Sequence, residues 1–136
     1  MSSPDAVPHV MPLQIYYEDT DLSGSVYHAN YLRYFERARE HLLGPEELVR
    51  LWRDDHIGFV VYKCELSFRE PATLGDVLEV RTVVRMESDF RAVFNHSVWR
   101  PGGKQAMTEG VVQLVCVDRN NKLVALPGTV RDRIRG

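Results

Sequence analysis

Apolar residues recur at helical spacing in one early stretch of the chain and at alternate positions through most of the rest. In the early stretch, neighbouring apolar positions lie three or four residues apart: Tyr31, Phe35, Ala38 and Leu42. This spacing predicts an amphipathic helix over about residues 29–43. Gly44 predicts the end of this helix, and Pro45 predicts the start of a shorter second helix that reaches about Arg53.

From Gly58 onward the pattern changes to period two, which predicts β-strands. We expect strands at residues 59–68, 76–87, 91–99, 107–117 and 123–126. In the first of these, the even positions form one predicted apolar face: Val60, Tyr62, Cys64, Leu66 and Phe68. The strand at 107–117 is apolar on both faces in its second half, which predicts a central position in the sheet. Turns are predicted at Pro101-Gly102-Gly103 and at Asn120-Asn121.

The order of elements predicts an α+β protein in which a twisted antiparallel β-sheet wraps around a long central α-helix. A short first strand is expected at residues 13–17, after a Ser- and Pro-rich segment, residues 1–12, that we expect to be flexible. The length of 136 residues predicts a single domain spanning residues 1–136.

The composition and charge of the chain argue against several classes of function. The formal net charge of −2 gives no broad basic surface, so nucleic acid is disfavoured as a main partner. No run approaches the roughly 20 apolar residues that span a bilayer, and the first twelve residues do not resemble a signal peptide. Cys64 and Cys116 lie in apolar strand-like runs, so we expect two buried free thiols and a reducing, cytoplasmic setting.

Candidate chemistry is concentrated where an acidic loop leads into the long helix. The N-terminus of a helix offers unpaired N–H donors and partial positive charge, which can stabilise a developing oxyanion. A nearby carboxylate can act as a base or nucleophile. Asp21 is the candidate carboxylate, with a turn aspartate as the alternative. His28 is the second candidate, with a surface or capping histidine as the alternative, and Tyr27 and Asn30 flank it.

This region resembles a known family. Residues 17–32 match Y-x-D-T-D-x-x-G-x-V-Y-H-A-N-Y-L, and residues 36–39 read E-R-A-R. The pattern is similar to that of hot-dog-fold acyl-CoA thioesterases of the 4-hydroxybenzoyl-CoA thioesterase type, in particular the bacterial subgroup associated with the Tol–Pal envelope system. The resemblance continues more weakly through the rest of the chain, and it implies the hot-dog fold.

The resemblance also implies roles for individual residues. Asp21 matches the catalytic carboxylate, whereas Asp19 matches a structural residue that bonds backbone donors in the turn. His28 matches an active-site histidine whose backbone N–H faces the thioester oxygen. For substrate binding, Tyr27 is expected as a core or pocket-wall aromatic and Asn30 as a helix cap or a partner of the Asp21 loop. In the turn at residues 88–91, Arg91 is the expected contact for the nucleotide end of coenzyme A, although the neighbouring Asp89 repels phosphate.

The implied reaction is hydrolysis of an acyl-CoA to the free acid and CoA, with the general-base and nucleophilic routes both open. No metal or bound cofactor is expected, since coenzyme A is part of the substrate. A homodimer, paired into a homotetramer, is implied, with active sites between subunits. The main alternative is a non-catalytic module that binds acyl-CoA or an acyl carrier protein. Hot-dog dehydratases are a further alternative, but they place their histidine and acid differently.

Overall fold

The computed structural model describes residues 7–135, which form an antiparallel β-sheet and three α-helices. The strands are β1 His9–Gln14, β2 Gly58–Phe68, β3 Val77–Ser88, β4 Arg91–Trp99, β5 Thr108–Val117 and β6 Leu123–Val124. The helices are α1 Asn30–Leu43, α2 Pro45–Asp55 and α3 Gly128–Arg135. The predicted α+β class is therefore confirmed, and the two predicted helices begin and end within two residues of the expected positions.

The sheet has the strand order β1-β3-β4-β5-β2, and every pairing is antiparallel. The short strand β6 pairs with the end of β5, where Asn121 adopts the positive φ expected for the hairpin. Strand β5 lies inside the sheet between β4 and β2, and none of its residues is exposed, as its two apolar faces predicted, whereas β1 and β2 are the outer strands. Helix α1 packs on one face of the sheet through an apolar stripe: Tyr31, Tyr34, Phe35 and Ala38.

The first strand begins four residues earlier than predicted. Residues 9–12, which we expected to be flexible, are paired with β3 as part of β1. Met11 and Leu13 alternate into the core and supply the apolar face that the strand needs. Pro12 is tolerated because β1 is an outer strand, where one backbone edge has no partner in the sheet. Residues 1–6 lie outside the described part of the chain.

A β-bulge in β2 overturns the predicted apolar face of that strand. The pairing with β5 skips Tyr62, with Val61 opposite Leu114 and Lys63 opposite Gln113. The extra residue exchanges the two faces of the strand. Val60 and Tyr62 lie on the outer face, whereas the helix-facing positions beyond the bulge are Cys64, Leu66 and Phe68. The predicted five-residue face is therefore wrong, since it combines side chains from opposite sides of the sheet.

The two thiols have different surroundings. Both cysteines are free, as predicted, but Cys64 is exposed and only Cys116 is buried. Cys64 lies on β2, an outer strand of the sheet, whereas Cys116 lies on the interior strand β5. Burial raises the pKa of the Cys116 thiol to about 12, so this thiol stays protonated and unreactive at neutral pH.

Two further features concern the helices. Helix α3 was not predicted, and its Val130 is fully buried in the part of the core near Leu43 and Leu126. Among residues 7–135, none of the helices combines the length and apolar character needed to cross a membrane.

Candidate active site

The two aspartates of the acidic loop before α1, Asp19 and Asp21, lie in different environments. Asp19 is buried, and its carboxylate accepts hydrogen bonds from the backbone N–H of Tyr16 at 2.8 Å and from Asn30 Nδ2 at 3.1 Å. Its backbone carbonyl accepts a hydrogen bond from Tyr27 N at 2.9 Å. Asp19 therefore connects the loop to the start of α1, in agreement with the structural role implied for it.

Asp21, in contrast, is exposed and presents its carboxylate to solvent. Its Oδ1 accepts hydrogen bonds from the Ser23 hydroxyl at 2.5 Å and the Ser23 backbone N–H at 2.8 Å. These bonds, the hydroxyl first and the N–H second, lower the pKa of Asp21 below its usual value, with a smaller contribution from His28. The group is therefore a carboxylate at neutral pH. Both hydrogen bonds from Ser23 fall on Oδ1, so the exposed carboxylate can still be approached by a water molecule or a substrate carbonyl.

The start of α1 supplies backbone donors beside this carboxylate. Tyr27 N and Asn30 N are used within the loop, since they donate to Asp19 O and Tyr27 O at 2.9 and 2.8 Å. Within residues 7–135, the intervening N–H of His28 meets no acceptor. The N-cap residue is Ala29, which has no side chain that could occupy these donors. The helix end is thus open to an oxygen acceptor from outside the chain.

Tyr27 and Asn30, which flank His28 in the sequence, have different surroundings. The Tyr27 and His28 rings lie 4.5 Å apart, and Tyr27 is 48% exposed, so it is a surface aromatic and not a core residue. His28 is also exposed. Of the two roles expected for Asn30, capping is not observed, because its amide bonds to Asp19 in the acidic loop. These side chains therefore lie at the uncapped start of α1.

Arg91 does not join this group within one protomer. It begins β4, near the core cluster around Leu43, whereas the start of α1 belongs to the cluster around Tyr31 at the other end of the sheet. Its guanidinium stacks over Tyr62, 4.5 Å from the ring centroid, and contacts Glu87 at 3.2 Å. Asp21 and Arg91 can therefore serve one site only if two chains contribute to it.

Sequence reasoning missed Ser23, which makes both hydrogen bonds that hold Asp21 Oδ1. An aspartate two residues before a serine is typical of an Asx turn, so this signal was present in the sequence.

For metals, the described residues contain no group of three or more His, Cys, Asp or Glu side chains placed to hold an ion.

An antiparallel sheet packed on one long helix, with an exposed carboxylate in the loop before that helix, is the architecture of the hot-dog class of proteins. The chain belongs to the Thioesterase-like superfamily, whose sequence model matches residues 16–134. It is 34% identical over 108 residues to the acyl-CoA thioester hydrolase YbgC of Escherichia coli, covering 79% of this chain and 80% of that protein.

Two other comparisons agree with this assignment. The acyl-CoA thioesterase YbgC of Haemophilus influenzae is 34% identical over 123 residues, covering 88% of this chain and 89% of that protein. The solved structure of a 1,4-dihydroxy-2-naphthoyl-CoA thioesterase from Synechocystis has a TM-score of 0.86 at 23% identity, covering 95% of this chain and 96% of that chain. At that identity the structural match supports the fold alone, and it confirms the predicted hot-dog fold.

Proposed function

We propose that this protein hydrolyses the thioester of an acyl-CoA to the free acid and CoA. One observation carries the proposal: Asp21 is an exposed carboxylate held through Oδ1 by Ser23, and the loop that carries it leads into the uncapped start of α1 at His28 and Ala29. A base or nucleophile thus adjoins an electrophilic donor, as acyl transfer to water requires. The YbgC relatives carry the same activity in their names.

Two routes fit this geometry. In the first, Asp21 removes a proton from water, hydroxide adds to the carbonyl, and CoA leaves as a thiolate that is then protonated. In the second, Asp21 itself adds to the carbonyl and expels the thiolate, and water then hydrolyses the mixed anhydride. In both routes the carbonyl oxygen gains negative charge, which the His28 N–H and the positive end of α1 stabilise. We propose no metal or bound cofactor for either route.

We also propose that the chain is of the 4-hydroxybenzoyl-CoA thioesterase type and belongs to the subgroup associated with the Tol–Pal system. The continuous match over residues 17–32 supports this finer assignment. We place the protein in the cytoplasm, in keeping with its two free cysteines.

We propose that the working unit is a homodimer, paired into a homotetramer, with each site completed by a neighbouring chain. The separation of Arg91 from Asp21 within one protomer supports this arrangement. The outer strand β2 supports it as well, because apolar Val61 and Phe68 stay 44% and 52% exposed in the single chain. A second copy would cover such groups. In this arrangement Arg91 of one chain would meet the CoA phosphates bound at the Asp21 of the other.

Mixed oligomers test the shared site. Asp21→Asn chains and Arg91→Ala chains, each weakly active alone, are unfolded together, refolded and assayed. Half of randomly formed dimers are hybrids, and each hybrid contains one wild-type site, so we expect about a quarter of wild-type activity to return. If the mixture is no more active than the average of its two components, Asp21 and Arg91 do not form a site across two chains.

A panel of acyl-CoAs tests the activity itself, with release of free thiol as the readout. We expect turnover of at least one member by the wild type and its loss in Asp21→Ala. The alternative, an acyl-CoA or acyl-carrier-protein binding module, predicts tight binding without turnover. That result, obtained across short, long and aromatic acyl groups, would exclude the hydrolase.

Replacement of His28 separates its backbone role from its side-chain role. In His28→Ala the N–H remains, so we expect part of the oxyanion stabilisation to survive and kcat to fall less than in Asp21→Asn. A side chain that transfers a proton in the reaction also makes the pH profile of the variant differ from that of the wild type. Steady-state rates at several pH values check this. A variant that equals the wild type in both rate and pH dependence would show that the side chain has only a structural role.

A further inference from the structure

His96, on β4, is a buried histidine that the proposed reaction does not use. Only 2% of it is exposed, and its neighbours across the sheet are Thr82 of β3 and Gly110 of β5. The Phe35 ring of α1 stacks on the imidazole, with ring centroids 4.7 Å apart and planes 5° apart. Phe94 also stacks with it, at 5.8 Å. The imidazole is therefore held by packing between α1 and the sheet.

Both ring nitrogens of His96 have hydrogen-bond partners. Nε2 lies 3.2 Å from Arg39 Nη1, and Nδ1 lies 2.8 Å from Thr82 Oγ1. Because a guanidinium can only donate, Nε2 must accept, so the ring proton is on Nδ1 and is donated to Thr82. Arg39 belongs to α1 and Thr82 to β3. The neutral imidazole thus connects the helix with the sheet through two hydrogen bonds.

A second proton on His96 would oppose this arrangement. It would turn Nε2 into a donor that faces another donor, and it would place a second positive charge beside a guanidinium that is itself only 7% exposed. Burial, followed by the charge of Arg39, lowers the pKa of His96 well below its usual value. An unfolded histidine takes up a proton at about pH 6.5, whereas folded His96 does so only at a much lower pH.

The other ionisable groups around this contact leave the imidazole without an anionic partner. Burial lowers the pKa of Arg39, and three groups on α1 and β2 partly offset that effect: Glu36, Cys64 and Glu40. Arg39 remains a cation at any pH at which proteins fold. His9 of β1, two strands away in the same cross-strand row, adds no negative charge. Among the described residues, the hydrogen-bond partners of the imidazole are the guanidinium and the Thr82 hydroxyl.

We propose that His96 makes the docking of α1 on the sheet sensitive to acid, because its buried imidazole can accept the hydrogen bond from Arg39 only while it is neutral. The stabilisation is fully present above about pH 6.5. It is lost progressively as the pH falls below that value, since the unfolded chain then binds one proton more than the folded chain. This one residue should raise the unfolding equilibrium constant about tenfold for each pH unit below 6.5. Acid sensitivity of this kind is independent of the proposed hydrolysis.

His96→Gln introduces an uncharged side chain that can still accept a hydrogen bond from Arg39. Urea titrations of the wild type and the variant, at about pH 7.5 and about pH 5, give the unfolding equilibrium constants. Between these two pH values we expect the constant of the wild type to rise about 30-fold more than that of the variant, since all other titratable groups are common to both. Comparing the change within each protein removes any stability difference caused by the substitution itself. An equal change in the two proteins overturns the proposal.

His41→Gln is the matched control. His41 is exposed on the same helix, two residues after Arg39. Its replacement also removes one histidine from the chain, but no buried contact, so the acid response should stay close to that of the wild type. If His41→Gln lost as much acid sensitivity as His96→Gln, the response would not belong to the buried imidazole, and the proposal would fail.

Nitrogen NMR of the imidazole rings in the wild-type protein gives the answer if His96→Gln does not fold. The His96 ring is identified by its proximity to the Phe35 and Phe94 rings. From about pH 7.5 to about pH 5 we expect its nitrogen shifts to remain those of a neutral ring protonated at Nδ1, whereas a free histidine peptide becomes charged over this range. A folded protein in which His96 gains its second proton in this range, or carries its single proton on Nε2, contradicts the proposal.

Discussion

Replacing Asp21 with Asn lowers kcat for acyl-CoA hydrolysis by a factor on the order of 10²–10⁴. The amide keeps the shape of the side chain but can neither accept a proton from water nor attack the thioester. Because Asp21 is exposed and outside the apolar core, the free energy of unfolding should be nearly unchanged. Thiol release by the purified variant, together with a urea titration, measures both quantities.

Glu18→Gln is the matched control for this experiment. Glu18 is an exposed carboxylate in the same loop, three residues before Asp21, so its loss changes the local charge equally. We expect its kcat to stay within about twofold of wild type, since no proton transfer is assigned to it. If Asp21→Asn kept a kcat near that of the wild type, Asp21 would not be catalytic. If Glu18→Gln lost as much kcat as Asp21→Asn, the loss would reflect the change in loop charge and not a catalytic role of Asp21.

Gly110→Ala should destabilise the fold by about 1–3 kcal/mol. Gly110 lies in β5 directly beneath α1, where an added Cβ would be 2.5 Å from Phe35 Cε2 and 2.7 Å from Leu66 Cδ2. Both side chains are held by packing, so the helix or the sheet must shift to make room. Chemical denaturation measures the change as a lower midpoint with an unchanged slope.

Gly128→Ala provides the comparison for Gly110→Ala. Gly128 is exposed at the start of α3, a Cβ there meets no atom within 4 Å, and its φ is not positive. We expect its unfolding free energy to stay within about 0.5 kcal/mol of wild type. If Gly110→Ala were as stable as Gly128→Ala, the close approach of α1 to β5 would not be required for the fold.

Local patterns predicted most of the elements. The spacing of Tyr31, Phe35 and Ala38 identified α1, and Gly44-Pro45 identified its end. The bulge in β2 escaped prediction because Val60 and Val61 are both apolar, so alternation gave no sign of a change of face. Helix α3 escaped because its apolar residues are few among arginines, and only packing against the core determines that it is helical.

The candidate site was predicted where its chemistry is local in the chain. Asp21, His28 and Asn30 lie within ten consecutive residues, and the family pattern covers that stretch. The buried hydrogen bond between Arg39 Nη1 and His96 Nε2 was not predicted, since the two residues are 57 positions apart in the chain and arginine usually lies in solvent. Contacts of this kind depend on how α1 packs against the sheet. The residue pattern of a single segment does not determine that packing.

The bulge in β2 has a consequence for mutations in this strand. Tyr62 and Cys64 are two positions apart, a spacing that in a regular strand would place both on one face. Here they face opposite sides of the sheet. A mutation at Tyr62 therefore alters the outer surface of the sheet, whereas a mutation at Cys64 alters its helix-facing side. One strand of 11 residues thus presents two surfaces that can change separately.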